Sequence, residues 1–300
     1  MGGRISQSLD AEHRLNQGCE PTRSAPSSKK YMIEKRKWQV MKTLFVGDLH
    51  LQQALILPKV AKVVAQEMIE RVIFTGDYVD AYGQKNNSKL FLSALDLLKE
   101  FKEEHLQKGI EVVNLVGNHD APYMIDRRNH YTSEDPELIL AVKKRLYDLG
   151  LQIAFQLDDY LVSHAGFNQD FEVEDWNFET MTEEEHKSKL FEYQTHVGYI
   201  RRGRFPYGSP IWSDFMETTL HTNPKYPKQV VGHTPQKAIQ LGNIIGIDTF
   251  SNDYDSEQGW RFIGNGDLLC YEEGQFKAIP TDWSSEATIK ELEKLFWPGE

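Results

Sequence analysis

The chain has 300 residues, of which 40% are hydrophobic and 26% charged, a composition suited to one large or two small globular domains. A net charge of −11 disfavours a nucleic-acid duplex as the main partner. No apolar run approaches the roughly 18–20 residues of a membrane span, and no apolar leader follows the N-terminus, so a cytoplasmic protein is expected. Cys19 and Cys270 are the only cysteines and stand far apart, which implies neither a disulfide framework nor a thiolate metal site.

Residues 1–40 carry eight Lys/Arg against four Asp/Glu, and 17–30 is rich in Pro, Ser and Gly with no apolar period. We read 1–40 as a mobile N-terminal tail, with Met41 directly before the first strand. Met1-Gly2-Gly3-Arg4-Ile5-Ser6 fits the N-myristoylation pattern, which is permissive enough for chance to meet it. From Lys42 strands and helices alternate. Lys42–Val46 is a predicted strand, Gln53–Glu70 a helix with Leu57, Val60, Val63, Val64 and Met68 at helical spacing, and Val72–Thr75 a second strand. Leu90–Leu106 is a helix with Phe91, Leu95, Leu98 and Phe101 on one face, and 110–116 a buried strand. After a polar loop at 121–133, a helix opens at Asp135-Pro136 and stops at Gly150. Leu151–Leu157 and Tyr160–Ser163 are predicted to form a hairpin turning at Asp158-Asp159. Residues 167–226 read as irregular, with one helix opening at the capping box Thr182…Glu185. Strands follow at Gln229–Val231 and near 243–248, 268–272 and 276–279, and Ser285–Phe296 closes the chain as a helix stopped by Pro298-Gly299. The pattern predicts an α/β domain whose second half supplies a mostly antiparallel sheet.

Five of these strands end in polar side chains able to coordinate a metal or move a proton: Gly47-Asp48-Leu49-His50, Gly76-Asp77-Tyr78-Val79-Asp80, Gly117-Asn118-His119-Asp120, Ser163-His164-Ala165-Gly166 and Gly232-His233-Thr234. Each alone is no more than a turn signal. Five in order, at the carboxyl ends of strands where α/β sheets bind ligands, are more than that. The candidate ligands are all oxygen or imidazole nitrogen, a set that suits Mn²⁺, Fe or Zn²⁺. They are enough for two divalent ions sharing a carboxylate, one held by Asp48, His50 and Asp77 and the other by Asp77, Asn118, His164 and His233. Two metals about 3.5–4 Å apart hold a bridging hydroxide and clamp a phosphate for in-line attack. His119 is then spare, and a histidine can protonate a departing alkoxide. Asp80 is the carboxylate expected to orient it.

These five motifs, together with Ile211-Trp212-Ser213-Asp214, resemble the calcineurin-like metallophosphoesterase superfamily over residues 44–250. The resemblance is closest to the phosphoprotein-phosphatase branch, with its bacterial and phage Ser/Thr phosphatases and diadenosine tetraphosphate hydrolases. It implies a four-layer αββα sandwich with mixed sheets, a catalytic domain over 41–300, and a dinuclear site with the assignments above. Three positions depart from that pattern. The last motif is Gly-His-Thr where many phosphodiesterases of the superfamily have Gly-His-x-His. Ala81 stands where the branch has a phosphate-binding arginine, and Asp120 where protein phosphatases have Glu. Arg127 and Arg128, or Arg201, Arg202 and Arg204, are candidates to replace the arginine, because a guanidinium binds phosphate in bidentate fashion. The reading expected is a phosphatase acting on phosphomonoesters, either phosphoprotein or small phosphorylated molecules. A dinucleotide polyphosphate or phosphodiester hydrolase is the alternative. An inactive scaffold is disfavoured by the intact ligand set, His119 and Asp80.

Because 1–40 has no core-forming pattern, a chain starting at Met41 should melt within about 2 °C of the full chain and turn over at the same rate. Calorimetry showing a large drop in melting temperature would overturn this.

Overall fold

A computed structural model of the protein describes residues 41–297. The predicted tail, the Gly2 motif, Cys19 and the Pro298-Gly299 stop lie outside them. Twelve strands and seven α-helices fill the described residues. The first half runs β1 (Thr43–Val46), α1 (Gln53–Glu67), β2 (Arg71–Phe74), α2 (Ser88–Gln107), β3 (Glu111–Leu115), a short α3 (Ala121–Met124) and α4 (Pro136–Asp148). Side chains seat the helix starts: Asn87 accepts from Leu90 N, and Asp135 accepts from Glu137 N ahead of Pro136, each cap worth about 1 kcal/mol. Helix α1 ends earlier than its spacing predicts because Met68 turns left-handed at φ 55°.

The stretch read as one strand over 151–157 divides. β4 (Leu151–Gln152) pairs parallel to β3, whereas β5 (Ala154–Leu157) forms the hairpin with β6 (Tyr160–Ser163). Between them Ile153 gives its N–H to Asn177 O, so the chain changes sheets within one residue, a step that an unbroken apolar run conceals. Then come α5 (Glu183–Thr195), opened by Thr182 as predicted, α6 (Phe215–Leu220), β7 (Gln229–Val231) and β8 (Ile244–Gly246). The chain ends in β9 (Asn252–Asp255), β10 (Gly259–Phe262), β11 (Leu268–Glu272), β12 (Gln275–Ile279) and α7 (Glu286–Phe296).

Two mixed sheets result, ordered β12-β11-β1-β2-β3-β4 and β5-β6-β7-β8. The expected antiparallel second half is corrected here. β6, β7 and β8 run parallel, and only β5 opposes them. Long connections after β6 and β7 allow the crossovers that parallel strands need. The late antiparallel strands β11 and β12 return instead to the edge of the first sheet, against β1.

Alternation along the strands builds the layers. Phe45, Ile73, Val113, Leu115 and Leu269 of the first sheet meet Leu157, Val162, Val230 and Ile245 of the second in one buried cluster. Leu44, Val46, Val72 and Phe74 point the other way, into a core with Ile56, Phe91, Leu98, Leu146 and Leu292 of the helices. On the far face of the second sheet, α6 packs on β8 and a single 3₁₀ turn, Asp175–Phe178, packs on β5. The arrangement is the four-layer αββα sandwich, with its last layer made largely of irregular chain.

The loops after β2 and β3 are locked by Asp120, which is fully buried. Its carboxylate accepts from Asp77 N (2.8 Å), Tyr78 N (2.9 Å) and Gly117 N (2.9 Å). Asp120→Ala would leave three buried donors without an acceptor, and a loss of about 3 kcal/mol is expected. Urea titration of the variant giving less than about 1 kcal/mol would count against the clamp.

Candidate metal centre

The carboxyl ends of β1, β2, β3, β6 and β7 converge, three from one sheet and two from the other. Backbone hydrogen bonds join their loops. Asp77 O accepts from Leu49 N (3.1 Å) and His50 N (2.8 Å), and Gly232 N donates to His164 O (2.7 Å). His233 N donates to both carboxylate oxygens of Asp48 at 3.1 Å. His50, Asp77, Asp80 and His233 take φ of 42°, 53°, 65° and 63°, a left-handed region that residues with a Cβ seldom occupy. Such strain persists only where the surroundings over-determine it. Two motif glycines are required by close approach: a Cβ on Gly117 would strike the Asp77 carboxylate, and one on Gly232 the Asp48 carboxylate.

The imidazoles are oriented by acceptors behind them. His164 Nδ1 lies 2.8 Å from Thr75 O and His50 Nδ1 lies 2.9 Å from Asp80 O. Each carbonyl fixes the proton on Nδ1 and leaves a lone pair on Nε2. The two Nε2 atoms face a single oxygen, Asp77 Oδ2, at 3.6 Å and 3.5 Å. The other oxygen, Oδ1, is held by His119 N at 2.8 Å. His164 Nε2 also lies 2.9 Å from Asn118 Oδ1 and 3.1 Å from His233 Nδ1, and His233 Nε2 is buried with no hydrogen-bond partner among the described residues. His50 Nε2 is 4.0 Å from Asp48 Oδ2. Electron-rich atoms thus crowd together with too few protons among them.

The electrostatics agree. Burial, then the nearby Asp248 and Asp77 charges, push the Asp48 carboxyl well above its usual range, and burial and Asp120 do the same to Asp77. Burial pushes His164 down to about 3 and, with His164 beside it, His233 well below the usual imidazole range. Neutral imidazoles and mutually repelling carboxylates are the donors a divalent cation would stabilise. The residues present therefore fit a metal. Two ligand groups stand out: Asp77, His164 and His233, and His50, Asp77 and His119.

His119 has a second partner. Its Nδ1 is 3.1 Å from Asp80 Oδ2, its ring lies 4.2 Å from that of Tyr131, and Tyr123 Oη donates to Asp80 Oδ1 at 2.7 Å. Burial lowers His119 to about 3 and raises Asp80 to about 7, so burial disfavours charge on either member.

Of the five arginines considered, one reaches the cluster. Arg201 Nη2 donates to Thr234 Oγ1 at 2.6 Å, and its Nε is 3.0 Å from Asp214 Oδ2, close enough for charge attraction though not aligned as a hydrogen bond. Arg202 and Arg204 are exposed. Arg127 and Arg128 line a separate cavity with Pro122, Tyr123 and Ile139, where the Arg127 guanidinium lies over Phe191. Sequence reasoning named Asp120 without giving it a role, and passed over Tyr123, Tyr131 and Asp248. Asp248 is buried, accepts from Ser251 Oγ at 2.7 and 2.8 Å, and acts electrostatically on Asp48 and His50. It stands two residues past β8, and the strand-end logic that found the others would have found it.

Among solved structures, the chain is similar to a cold-active protein-tyrosine phosphatase of a psychrophilic Shewanella, at 17% identity over 80% of both chains with a TM-score of 0.49. It is also similar to a protein serine/threonine phosphatase from Saccharomyces cerevisiae, at 16% identity over 84% of this chain and 83% of that one (TM-score 0.48). A phosphoesterase from E. coli aligns at 15% identity over 82% and 96% (TM-score 0.35). No curated protein matches the chain. The model of the calcineurin-like phosphoesterase family matches residues 41–275. The chain belongs to that family and is a metal-dependent phosphoesterase.

Proposed function

We propose that the protein is a two-metal phosphatase that hydrolyses phosphomonoesters. The observation that carries this reading is Asp77 Oδ2, which stands between His50 Nε2 and His164 Nε2 at nearly equal distances. A single carboxylate so placed suits a shared ligand. Asp48, His50 and Asp77 would hold one ion, and Asp77, Asn118, His164 and His233 the other, with Mn²⁺ the favoured metal for oxygen and imidazole donors and Fe or Zn²⁺ also compatible. When bound, such ions polarise the phosphoryl oxygens and acidify the attacking water.

The rest of the chemistry belongs to the chain. Arg201, tethered to Thr234 beside His233, is the arginine we assign to phosphate in place of the one missing at Ala81. Asp80 holds His119 by Nδ1 and leaves Nε2 free. Arrival of a phosphate dianion raises the proton affinity of the imidazole, and the Asp80 carboxylate beside Nδ1 favours its protonated form. As water adds to phosphorus and the bond to the ester oxygen breaks, Nε2 gives its proton to the departing alkoxide. Products are inorganic phosphate and the alcohol. His119 also lies near enough to His50 and Asp77 to be a ligand, and metal content separates the two roles. A reducing cytosol suits Cys270, which is free and buried.

His119→Asn should keep both metals and lose roughly 10²–10⁴ in kcat on alkyl phosphates, with a smaller loss on p-nitrophenyl phosphate, whose leaving group needs no proton. Asp80→Asn should show the same pattern more weakly. Equal losses on both esters with metals intact would assign His119 to phosphate binding, and loss of one ion would make it a ligand. Asp77→Asn should lower metal content at both sites. Two ions per chain retained by that variant, measured by elemental analysis, would sink the shared-ligand role.

A further inference from the structure

A cavity of about 450 Å³ opens on the His119 side of the cluster, with His50, Asp80 and His119 at its inner end. If His119 protonates the leaving group, as the proposed function has it, that group departs into this cavity. Its walls are aromatic. Tyr82 and Tyr254 stack at 5.9 Å with their planes 29° apart, Tyr254 lies 5.3 Å from Trp260, and Trp260 lies 5.2 Å from Phe296. Tyr131 lines the inner end against His119. Much of this wall comes from the β9–β10 hairpin, fixed to the loop after β1 by Asn252 Nδ2 donating to Gln52 Oε1 at 2.6 Å. Ala81 lines the cavity where the related phosphatase branch carries an arginine.

Charge limits what can enter. Among the described residues lining the cavity, Lys85 is the one lysine or arginine, and it is bonded to Glu134 at 2.8 Å. Asp253, also on the wall, is bonded to Arg261. A leaving group that itself carried phosphates would find no free cation there. A flat uncharged ring would find stacking faces, each worth about tenfold or more in affinity.

We infer that this cavity is the leaving-group site and that it selects phosphomonoesters of small alcohols bearing a planar aromatic ring, of nucleoside size, over ring-less phosphates and dinucleotide polyphosphates. Tyr82, 69% exposed and on the outer wall, is a specificity residue that can be changed without disturbing the core.

The inference is tested on the full chain in two ways. With Mn²⁺, kcat/KM is compared for adenosine 5′-monophosphate, O-phosphotyrosine, glycerol 3-phosphate and diadenosine tetraphosphate. A ring-bearing monoester should exceed glycerol 3-phosphate by at least about tenfold, and Tyr82→Ala should lower that ratio roughly tenfold. The first two substrates distinguish a nucleoside from an aryl source of the ring. Separately, on metal-free protein, saturation-transfer NMR should detect adenosine or tyrosine but not ribose, with the ring signal lost in Tyr82→Ala. Equal kcat/KM with and without a ring, preference for the tetraphosphate, or no transfer to either adenosine or tyrosine would each overturn the inference. If no ester is turned over while ring binding and its Tyr82 dependence hold, the ring site stands and the phosphatase reading falls.

Discussion

Buried carboxylates that accept backbone N–H groups hold the centre of this molecule together. Asp120 takes three donors from two loops, Asp48 takes His233 N, and Asp77 takes His119 N. Apart from Gly117 N, which lies in the same loop as Asp120, each donor ties the end of one strand to the end of another, and Asp77 O, accepting from Leu49 N and His50 N, joins the loops after β3, β2, β1 and β7 in series. A carboxylate in an apolar interior is costly unless such donors surround it. The same bonds let four residues with a Cβ sit at positive φ and aim side chains that an ordinary strand end would point elsewhere. What the donors do not offset is the repulsion among Asp48, Asp77 and Asp248, and that residue of unbalanced charge is what makes the centre receptive to cations.

Around these loops the work divides by direction. On one side His164, His233 and Asn118 crowd together, and Arg201, bonded to Thr234, acts electrostatically on the two histidines. On the other side His119 backs onto Asp80, which Tyr123 holds in turn, and faces the aromatic cavity. Ala81 belongs to this second side. Ala81 brings no charge to the cavity wall, and Arg201 is bonded to Thr234 beside His233.

The strand ends were legible in the sequence because each couples a short continuous apolar run to a polar cluster, and both halves of that signal are local. Boundaries of β1 to β3, α4 and α7 followed from these runs, from helical periodicity and from caps at Asp135 and Ser285. Tertiary choices were not local. Leu151–Leu157 reads as one strand because hydrophobicity is silent about which sheet a residue joins, and only the Ile153–Asn177 bond reveals the switch. The order of the second sheet depended on crossovers through irregular chain, which carry no period. The β9–β10 hairpin was missed because Asn252, Asp253 and Asp255 look like loop residues, although Tyr254, Trp260 and Phe262 are the side chains that matter there. Arginines were the least legible. A cluster at 201–204 and a pair at 127–128 look alike in sequence, yet only Arg201 is drawn to the cluster, by Thr234 and Asp214.

Because three of the converging loops hang from one sheet and two from the other, the donor set exists only while the two sheets are docked. An ion bound by atoms from both is thermodynamically linked to the inter-sheet core of Phe45, Ile73, Val162 and Val230. Whatever free energy the ion gains from the assembled set, the packing gains in return, as RT ln(1 + [L]/Kd) for each site. The fold thus draws part of its cohesion from the availability of metal in its surroundings, and a chain starved of ions would be a looser sandwich with a greater tendency to part along its central seam.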